Sequence, residues 1–206
     1  MAGCWFRIAC LVGLLSSAQA SSAQEVPPLH TFFQQNFDST VIYQSGLSVG
    51  NGPYYLILAK QKDQVYFFTY TSPYQSAAGR YFPGNLMLHF ANEEAAFRAA
   101  VPDKNRFLLP GLVPSDTLRR YWRRLRTHRF WTVKDDQQTA FPPLCAIDDG
   151  DHNTFFLIDR RTIRAASFYA PAYREACAGQ DPGRQQAINA LNVFTTVRRS
   201  NQANAR

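Results

Sequence analysis

The sequence predicts a single α+β domain, a mainly antiparallel sheet built from hairpins with several short helices packed on it and one disulfide. Two pairs of β-rich stretches are each separated by four residues, which is the pattern of a β-hairpin. Short amphipathic stretches with helical spacing lie before, between and after these pairs. The 206 residues contain no internal repeat and no linker that would divide two domains.

The two predicted hairpins form most of the sheet. Residues 54–60 and 65–71 are the strongest predicted strands, and both carry apolar or aromatic side chains on both faces. We therefore expect this hairpin to lie centrally in the sheet, covered on both sides at least in part. The second hairpin is predicted from residues 155–158 and 163–169.

Helices are predicted where apolar residues recur three or four positions apart. A first helical stripe is formed by Leu29, Phe32, Phe33 and Phe37. The strongest predicted helix runs from Pro114 to about Arg129, with a buried stripe of Leu118, Tyr121, Trp122 and Leu125. Two more helices are predicted to begin at Pro171 and at Asp181-Pro182, because proline suits the first helical position.

Shorter elements complete a predicted domain of residues 25–197. Short strands are predicted at 40–43, 86–90 and 130–133, and a helix at 92–101. Residues 198–206 contain no apolar residue beyond two alanines, so they are predicted to be a flexible tail.

The first 20 residues have the pattern of a signal peptide. Arg7 precedes an apolar run at 8–15, and Ala18-Gln19-Ala20 matches the small-residue cleavage pattern, with a second cleavage point as late as residue 24. The run is too short to span a membrane, which takes about 20 apolar residues. The sequence therefore predicts an exported, soluble protein, periplasmic or secreted, without a transmembrane segment.

The cysteines support the prediction of export. Cys4 and Cys10 lie in the leader, and Cys10 stands too early in the apolar run for lipidation. Cys145 and Cys177 remain after cleavage, and an even number in an exported chain favours a disulfide. A bridge closing this loop of about 33 residues would stabilise the fold by about 3–4 kcal/mol. A catalytic thiol is the alternative, but Cys177 lies near a helix C-terminus, which does not favour a thiolate.

An acidic turn supplies the candidate site residues Asp149, Asp151 and His152. Asp149, Asp151 and Asn153 match the start of a calcium loop. The match fails at the sixth position, which is Thr154 instead of glycine, and at the twelfth, which is Arg160 instead of glutamate. The sequence therefore predicts a tight acidic turn that enters a strand, and no metal.

A basic helix is the second candidate for function. Arg119, Arg120, Arg123, Arg124 and Arg126 lie in the helix predicted to begin at Pro114, and the chain has a formal net charge of +7. The helix could bind an acidic partner or an anionic surface. The alternative is a solvated face whose arginines pair with carboxylates. No nucleic-acid binding is predicted, because an exported chain without a known binding motif is a poor candidate.

The remaining motifs point away from catalysis. The four histidines show no metal-ligand spacing, and neither G-x-S-x-G nor a phosphate-binding glycine loop occurs, so no cofactor is predicted. The sixteen Phe, ten Tyr and three Trp fit a large core, or alternatively an aromatic platform for sugars or peptides.

These observations predict a non-catalytic binding or interaction module of the cell envelope or extracellular space. A purely structural envelope component is a third class beside this module and an enzyme. The main alternative is an envelope hydrolase whose site is assembled from distant residues. Convergence of Asp149, Asp151 and His152 in a cleft would favour the hydrolase, whereas a flat surface with exposed aromatics would favour the binding module.

Overall fold

The computed structural model describes residues 26–46, 54–71, 92, 96, 108–136 and 145–205. The strands are Ser39–Gly46 (β1), Tyr54–Gln61 (β2), Gln64–Thr71 (β3), Leu108–Pro110 (β4), His152–Asp159 (β5) and Ile163–Tyr169 (β6). The helices are Pro28–Asn36 (α1), Ser115–Leu125 (α2), Thr127–Phe130 (α3), Pro171–Ala178 (α4) and Pro182–Asn204 (α5). One antiparallel sheet in the order β4-β3-β2-β1-β5-β6 confirms the predicted α+β class.

Strand β1 joins the two predicted hairpins into one sheet. It pairs with β2 along one edge and with β5 along the other, so that Val41 lies opposite both Leu58 and Leu157. The hairpins β2–β3 and β5–β6 are both formed as the sequence predicts. The sheet therefore consists of two local hairpins held together by a strand from the start of the domain.

Both faces of the sheet are covered by helices. One face packs against α2, α3 and α5, and its buried strand residues include Val41, Leu56, Leu58, Phe67, Phe155 and Leu157. The other packs against α1, and its buried strand residues are Ile42, Ile57, Ala59, Tyr70 and Ile158. Successive residues of β2 are buried on opposite faces, which is the two-sided cover that its apolar sequence predicts.

The predicted helix from Pro114 to Arg129 is broken near its end. Arg126 has a φ of 48°, which is a left-handed conformation, and the chain then makes the single turn α3. Side-chain amides of Gln186 and Asn189 donate to the carbonyl oxygens of Leu125 and Arg124 at 2.6 and 2.8 Å, so the last carbonyls of α2 are satisfied at the break.

The prediction of a strand at 130–133 is wrong. Phe130 ends α3, and residues 131 and 132 form a turn. Phe130 is fully buried with its ring centroid 4.9 Å from that of Phe155. An aromatic residue that packs under a sheet carries the same local pattern as a strand residue, and only its distant partner distinguishes the two.

Helix α5 continues to Asn204, through most of the stretch predicted as a flexible tail. Asn201 Oδ1 accepts the backbone N–H of Leu112 at 2.6 Å, and Asn204 Nδ2 donates to the Leu112 carbonyl at 2.7 Å. The end of the helix is therefore docked through amides, which an analysis based on apolar spacing does not register.

Some predictions fall outside the described residues. The signal peptide at 1–20 and the strand at 86–90 lie there, while of the helix predicted at 92–101 only Asn92 and Ala96 are described, and both are helical. Within the described ranges, no helix has the length and apolar character needed to cross a membrane.

His30 makes the stability of the fold depend on pH. The side chain lies on α1, is 4% exposed and packs with its ring centroid 4.3 Å from that of Phe156. Burial lowers the pKa of His30 to about 4, from 6.5 when it is exposed. Below pH 6.5 the His30 side chain is therefore protonated in the unfolded chain but stays neutral in the folded chain. The free energy of unfolding consequently falls as the pH drops from 6.5 towards 4.

We expect His30 alone to lower the free energy of unfolding by about 3 kcal/mol between pH 7 and pH 4. Phe at this position keeps a ring against Phe156 and cannot titrate, so His30→Phe removes this part of the pH dependence. Urea denaturation of both proteins at pH 7, 5.5 and 4 measures the difference. Parallel stability curves for the two proteins would contradict the assignment.

The backbone conformation at Arg126 generates a second prediction. Arg126→Gly and Arg126→Ala both remove the side chain, but only glycine adopts a positive φ without steric cost. We expect the glycine variant to be more stable than the alanine variant by about 1 kcal/mol. Thermal or urea denaturation of the pair measures this difference, and the reverse order would show that the break is not left-handed in solution.

Candidate functional site

A cleft of about 540 Å³ opens where the loop before β5 and the start of α4 face β1 and α5. Its floor includes Tyr43, Asn153 and Leu191, and its rim includes Asp149, Asp151 and Tyr173. We call it the Tyr43 cleft. Its volume lies within the range of sites that hold small ligands.

A series of hydrogen bonds fixes the polar floor of the Tyr43 cleft. The Tyr43 hydroxyl donates to Asn153 Oδ1 at 2.9 Å, and Asn153 Nδ2 donates to the Asp151 carbonyl at 3.1 Å. Asn153 is only 4% exposed, so these bonds satisfy a buried amide. The Tyr43 ring packs against Phe155 and Phe194, with centroid distances of 5.2 and 5.6 Å.

The protonation of Tyr43 follows from its surroundings. Burial raises the pKa of the Tyr43 hydroxyl, and the negative charge of Asp151 raises it further, although Ser45 and Arg198 act in the opposite direction. The phenol therefore stays neutral at physiological pH. In this state the hydroxyl carries the proton that it donates to Asn153.

The loop before β5, which carries the rim residues Asp149 and Asp151 and is called the rim loop, is held by the hydroxyl of Tyr169. This hydroxyl accepts the Gly150 N–H at 2.6 Å and donates to the Ile147 carbonyl at 3.0 Å. A Cβ at Gly150 would lie 2.8 Å from Cζ of Tyr169, so the close approach requires glycine. The Cys145–Cys177 disulfide is present as predicted and ties the start of the loop to the end of α4.

Tyr169 is itself fixed by a partly buried ion pair. Its backbone N–H donates to Asp136 Oδ2 at 2.8 Å, and the same oxygen lies 3.0 Å from Arg174 Nη1. The Arg174 guanidinium also lies over the Tyr169 ring, 5.1 Å from its centroid. Burial raises the pKa of Asp136, against the opposing effects of Tyr169 and Arg174. The carboxylate covers the outer edge of β6, where a further strand could otherwise pair.

The structure brings together two of the three candidate site residues. Asp149 and Asp151 are exposed on the rim of the Tyr43 cleft, and neither pairs with a cation within 4 Å among the described residues. His152 begins β5 on the opposite face, with its ring centroid 4.6 Å from that of Tyr169. The three residues therefore do not converge in one cleft.

The residues at the later positions of the calcium-like pattern make bonds that stabilise the sheet and its turns. The Thr154 hydroxyl bonds that of Ser167 across β5 and β6 at 3.0 Å, and Arg160 pairs with Asp38 at 2.7 Å. In the part of the chain that the structure describes, no three His, Cys, Asp or Glu side chains form a group that could hold a metal ion.

Helix α2 carries four of the five predicted arginines on its exposed face, and Arg126 directly follows it. Arg119 pairs with Asp116, and Arg120 Nη2 donates to the Thr117 hydroxyl at 3.2 Å. Arg123 Nε reaches the Arg119 carbonyl at 3.4 Å. These bonds are the local pairings expected of a solvated helix face.

Sequence reasoning missed Tyr43, Tyr173, Leu191 and Thr195 as residues of the cleft. Tyr43 lies 110 residues from Asn153 along the chain, so no local pattern links them. Asn153 gave a signal that could have been used, because an asparagine inside a strand whose alternate positions are apolar is buried and must find a partner.

Comparison with known proteins identifies no relative of this chain. No protein-family model, no curated protein and no solved structure matches it. The proposals for its function therefore depend on the geometry and chemistry of its own residues.

The role of Tyr169 can be tested by removing one atom. Tyr169→Phe deletes the hydroxyl that bonds Gly150 and Ile147, which leaves both backbone groups without that partner. We expect a loss of about 1–2 kcal/mol in unfolding free energy, with faster amide hydrogen exchange at Gly150. Tyr173→Phe is the matched control, because Tyr173 is 43% exposed. Equal small effects in both variants would show that the rim loop does not depend on Tyr169.

Proposed function

We propose that the chain is an exported, non-catalytic binding module that holds a small ligand in the Tyr43 cleft. The observation that carries the proposal is the pairing of a rigid polar floor with two rim carboxylates that have no cation beside them in the described structure. Groups of this kind accept hydrogen bonds, so they favour a ligand that donates them.

The ligand class follows from the lining of the cleft. Asp149 and Asp151 offer carboxylate oxygens, while Tyr43 and Tyr173 offer aromatic surface. Hydroxyl groups and ammonium groups both donate to carboxylates, and sugar rings pack against aromatic side chains. We therefore propose a polyol, sugar or amino sugar as the ligand.

Two features support the proposal of export. The apolar run at 8–15 followed by Ala18-Gln19-Ala20 has the pattern of a signal peptide. The Cys145–Cys177 disulfide fits an oxidising compartment such as the periplasm or the extracellular space. An exported binding module of the cell envelope is consistent with both.

The alternative of a hydrolase has weaker support from the geometry. A site built from Asp149, Asp151 and His152 would need the imidazole beside the carboxylates, but His152 packs on Tyr169 at the other face of the sheet. The described lining of the Tyr43 cleft contains no histidine, serine or cysteine that could act as a base or nucleophile there.

Titration of the chain without its predicted signal peptide, starting at residue 21, with neutral oligosaccharides, amino sugars and polyols tests the proposal. We expect saturable binding by calorimetry and a shift of the Asn153 side-chain amide signals in NMR. Asp149→Asn with Asp151→Asn should weaken binding by about tenfold or more, because hydrogen bonds to charged groups are worth about 1.5–3 kcal/mol each.

Asp63→Asn is the matched control, since Asp63 lies in the turn between β2 and β3 and outside the cleft. It should bind as the unaltered protein does. Absence of binding across the whole panel would contradict the proposal. Turnover of a panel compound that is lost in the Asp149 and Asp151 variants would favour the hydrolase instead.

A further inference from the structure

A second cavity, of about 390 Å³, lies between the turn that follows α2 and the first turns of α5. Its lining includes Arg126, Arg129, Thr132, Gln185, Gln186 and Asn189. We call it the Arg126 cavity. It shares no lining residue with the Tyr43 cleft, so the inference below does not depend on the proposed function.

The break after α2 brings two arginines to this cavity. The left-handed Arg126 ends the helix, and its carbonyl accepts the Arg129 N–H at 2.9 Å. The two residues are three positions apart in the chain, and both line the cavity. The left-handed conformation of Arg126 is unfavourable for a residue that has a side chain. Backbone strain of this kind is often retained at binding sites.

Neither guanidinium is neutralised by the part of the protein that the structure describes. Arg126 and Arg129 are exposed and make no ion pair with a described carboxylate. Arg119 and Arg184 differ in this respect, because Arg119 pairs with Asp116 and Arg184 Nε lies 3.2 Å from Glu175 Oε2. The remaining arginines of α2 have no described carboxylate partner either, but they do not line the cavity. Two adjacent cations facing a cavity create a local site for a doubly charged anion.

The polar wall of the cavity is held in place by its own bonds. Gln186 is 6% exposed, and its amide donates to the Leu125 carbonyl, while that of Asn189 donates to the Arg124 carbonyl. The Arg184 N–H in the first turn of α5 is already bonded to Asp181 Oδ1 at 2.9 Å. The guanidinium groups of Arg126 and Arg129 are the charged donors that the cavity offers to an anion.

We propose that the Arg126 cavity binds a dianionic phosphate group. A guanidinium presents its N–H groups as a planar fork that matches the oxygens of phosphate, and two of them balance its two charges. The volume leaves room for a small molecule attached to the phosphate. The anion-binding surface predicted for the basic helix is thereby limited to Arg126, which directly follows α2, and to Arg129 in the next turn.

The test is titration of the disulfide-bonded mature chain with inorganic phosphate and pyrophosphate at constant ionic strength. We expect saturable binding by calorimetry and a rise of the melting temperature beyond that given by chloride. Arg126→Gly and Arg129→Gln should each weaken binding by about tenfold or more. Arg126→Gly also suits the left-handed backbone, so loss of binding in this variant would not reflect loss of the fold.

Arg120→Gln is the matched control, because it removes one exposed charge of α2 that does not line the cavity. It should bind pyrophosphate as the unaltered protein does. Equal weakening in the control and in the cavity variants would overturn the proposal in favour of a general basic surface. Absence of saturable binding to either anion would also overturn it.

Vesicles that contain phosphatidic acid distinguish the two sources of such a phosphate. Sedimentation with these vesicles that is lost in Arg126→Gly and in Arg129→Gln would assign the cavity to a lipid headgroup. Binding of pyrophosphate without sedimentation would assign it to a soluble phosphorylated molecule. Both results require the cavity arginines, whereas sedimentation that survives their loss, without saturable anion binding, would overturn the site.

Discussion

The pairing of β1 with β5 is the interaction on which the rest of this structure depends. It is the contact that joins the hairpin β2–β3 to the hairpin β5–β6, across more than a hundred residues of chain. Closing so long a loop costs entropy, and burial on both faces of β1 offsets that cost, with Val41 on one side and Ile42 on the other. The same register sets Tyr43 opposite Phe155 and beside Asn153, so the floor of the Tyr43 cleft forms only when this pairing forms.

Once the sheet is assembled, the rim of the cleft is fixed by three constraints, two of which involve Tyr169. The disulfide holds the start of the loop, the Tyr169 hydroxyl holds its middle, and the pairing of His152 with Tyr169 holds its end. A loop restrained at three points loses little further entropy when a ligand binds, which is the physical content of preorganisation. The partly buried pair of Asp136 and Arg174 extends this support, because it fixes the strand end from which Tyr169 projects.

The features that could be predicted are those encoded over short stretches. Both hairpins, the helices at Pro171 and Pro182 and the bridge between Cys145 and Cys177 follow from local spacing and composition. The prediction failed where a distant partner decides the structure. Phe130 is drawn into a helical turn by packing on Phe155, and the last turns of α5 are docked on Leu112 by asparagines.

Within the acidic turn, strand alternation explains why one candidate residue separates from the others. Strand β5 begins at His152, three residues earlier than predicted, so His152 and Asn153 lie on opposite faces. A strand start at residue 155 left 149, 151 and 152 in one flexible turn, where all three were free to converge. The sequence could not identify Tyr43 as a residue of this site. Its place there depends on which strand pairs with β1, and strand pairing is not a local property of the sequence.

Helix α5 separates two environments of opposite charge. Gln185, Gln186 and Asn189 line the Arg126 cavity, whereas Leu191 and Thr195, further along the helix, line the Tyr43 cleft. The charged groups also lie on different segments, because Arg126 and Arg129 belong to the turn after α2 and Asp149 and Asp151 to the loop before β5. The net charge of +7 is therefore no guide to either site. The side chains that line each site decide whether it favours a ligand of positive or negative charge.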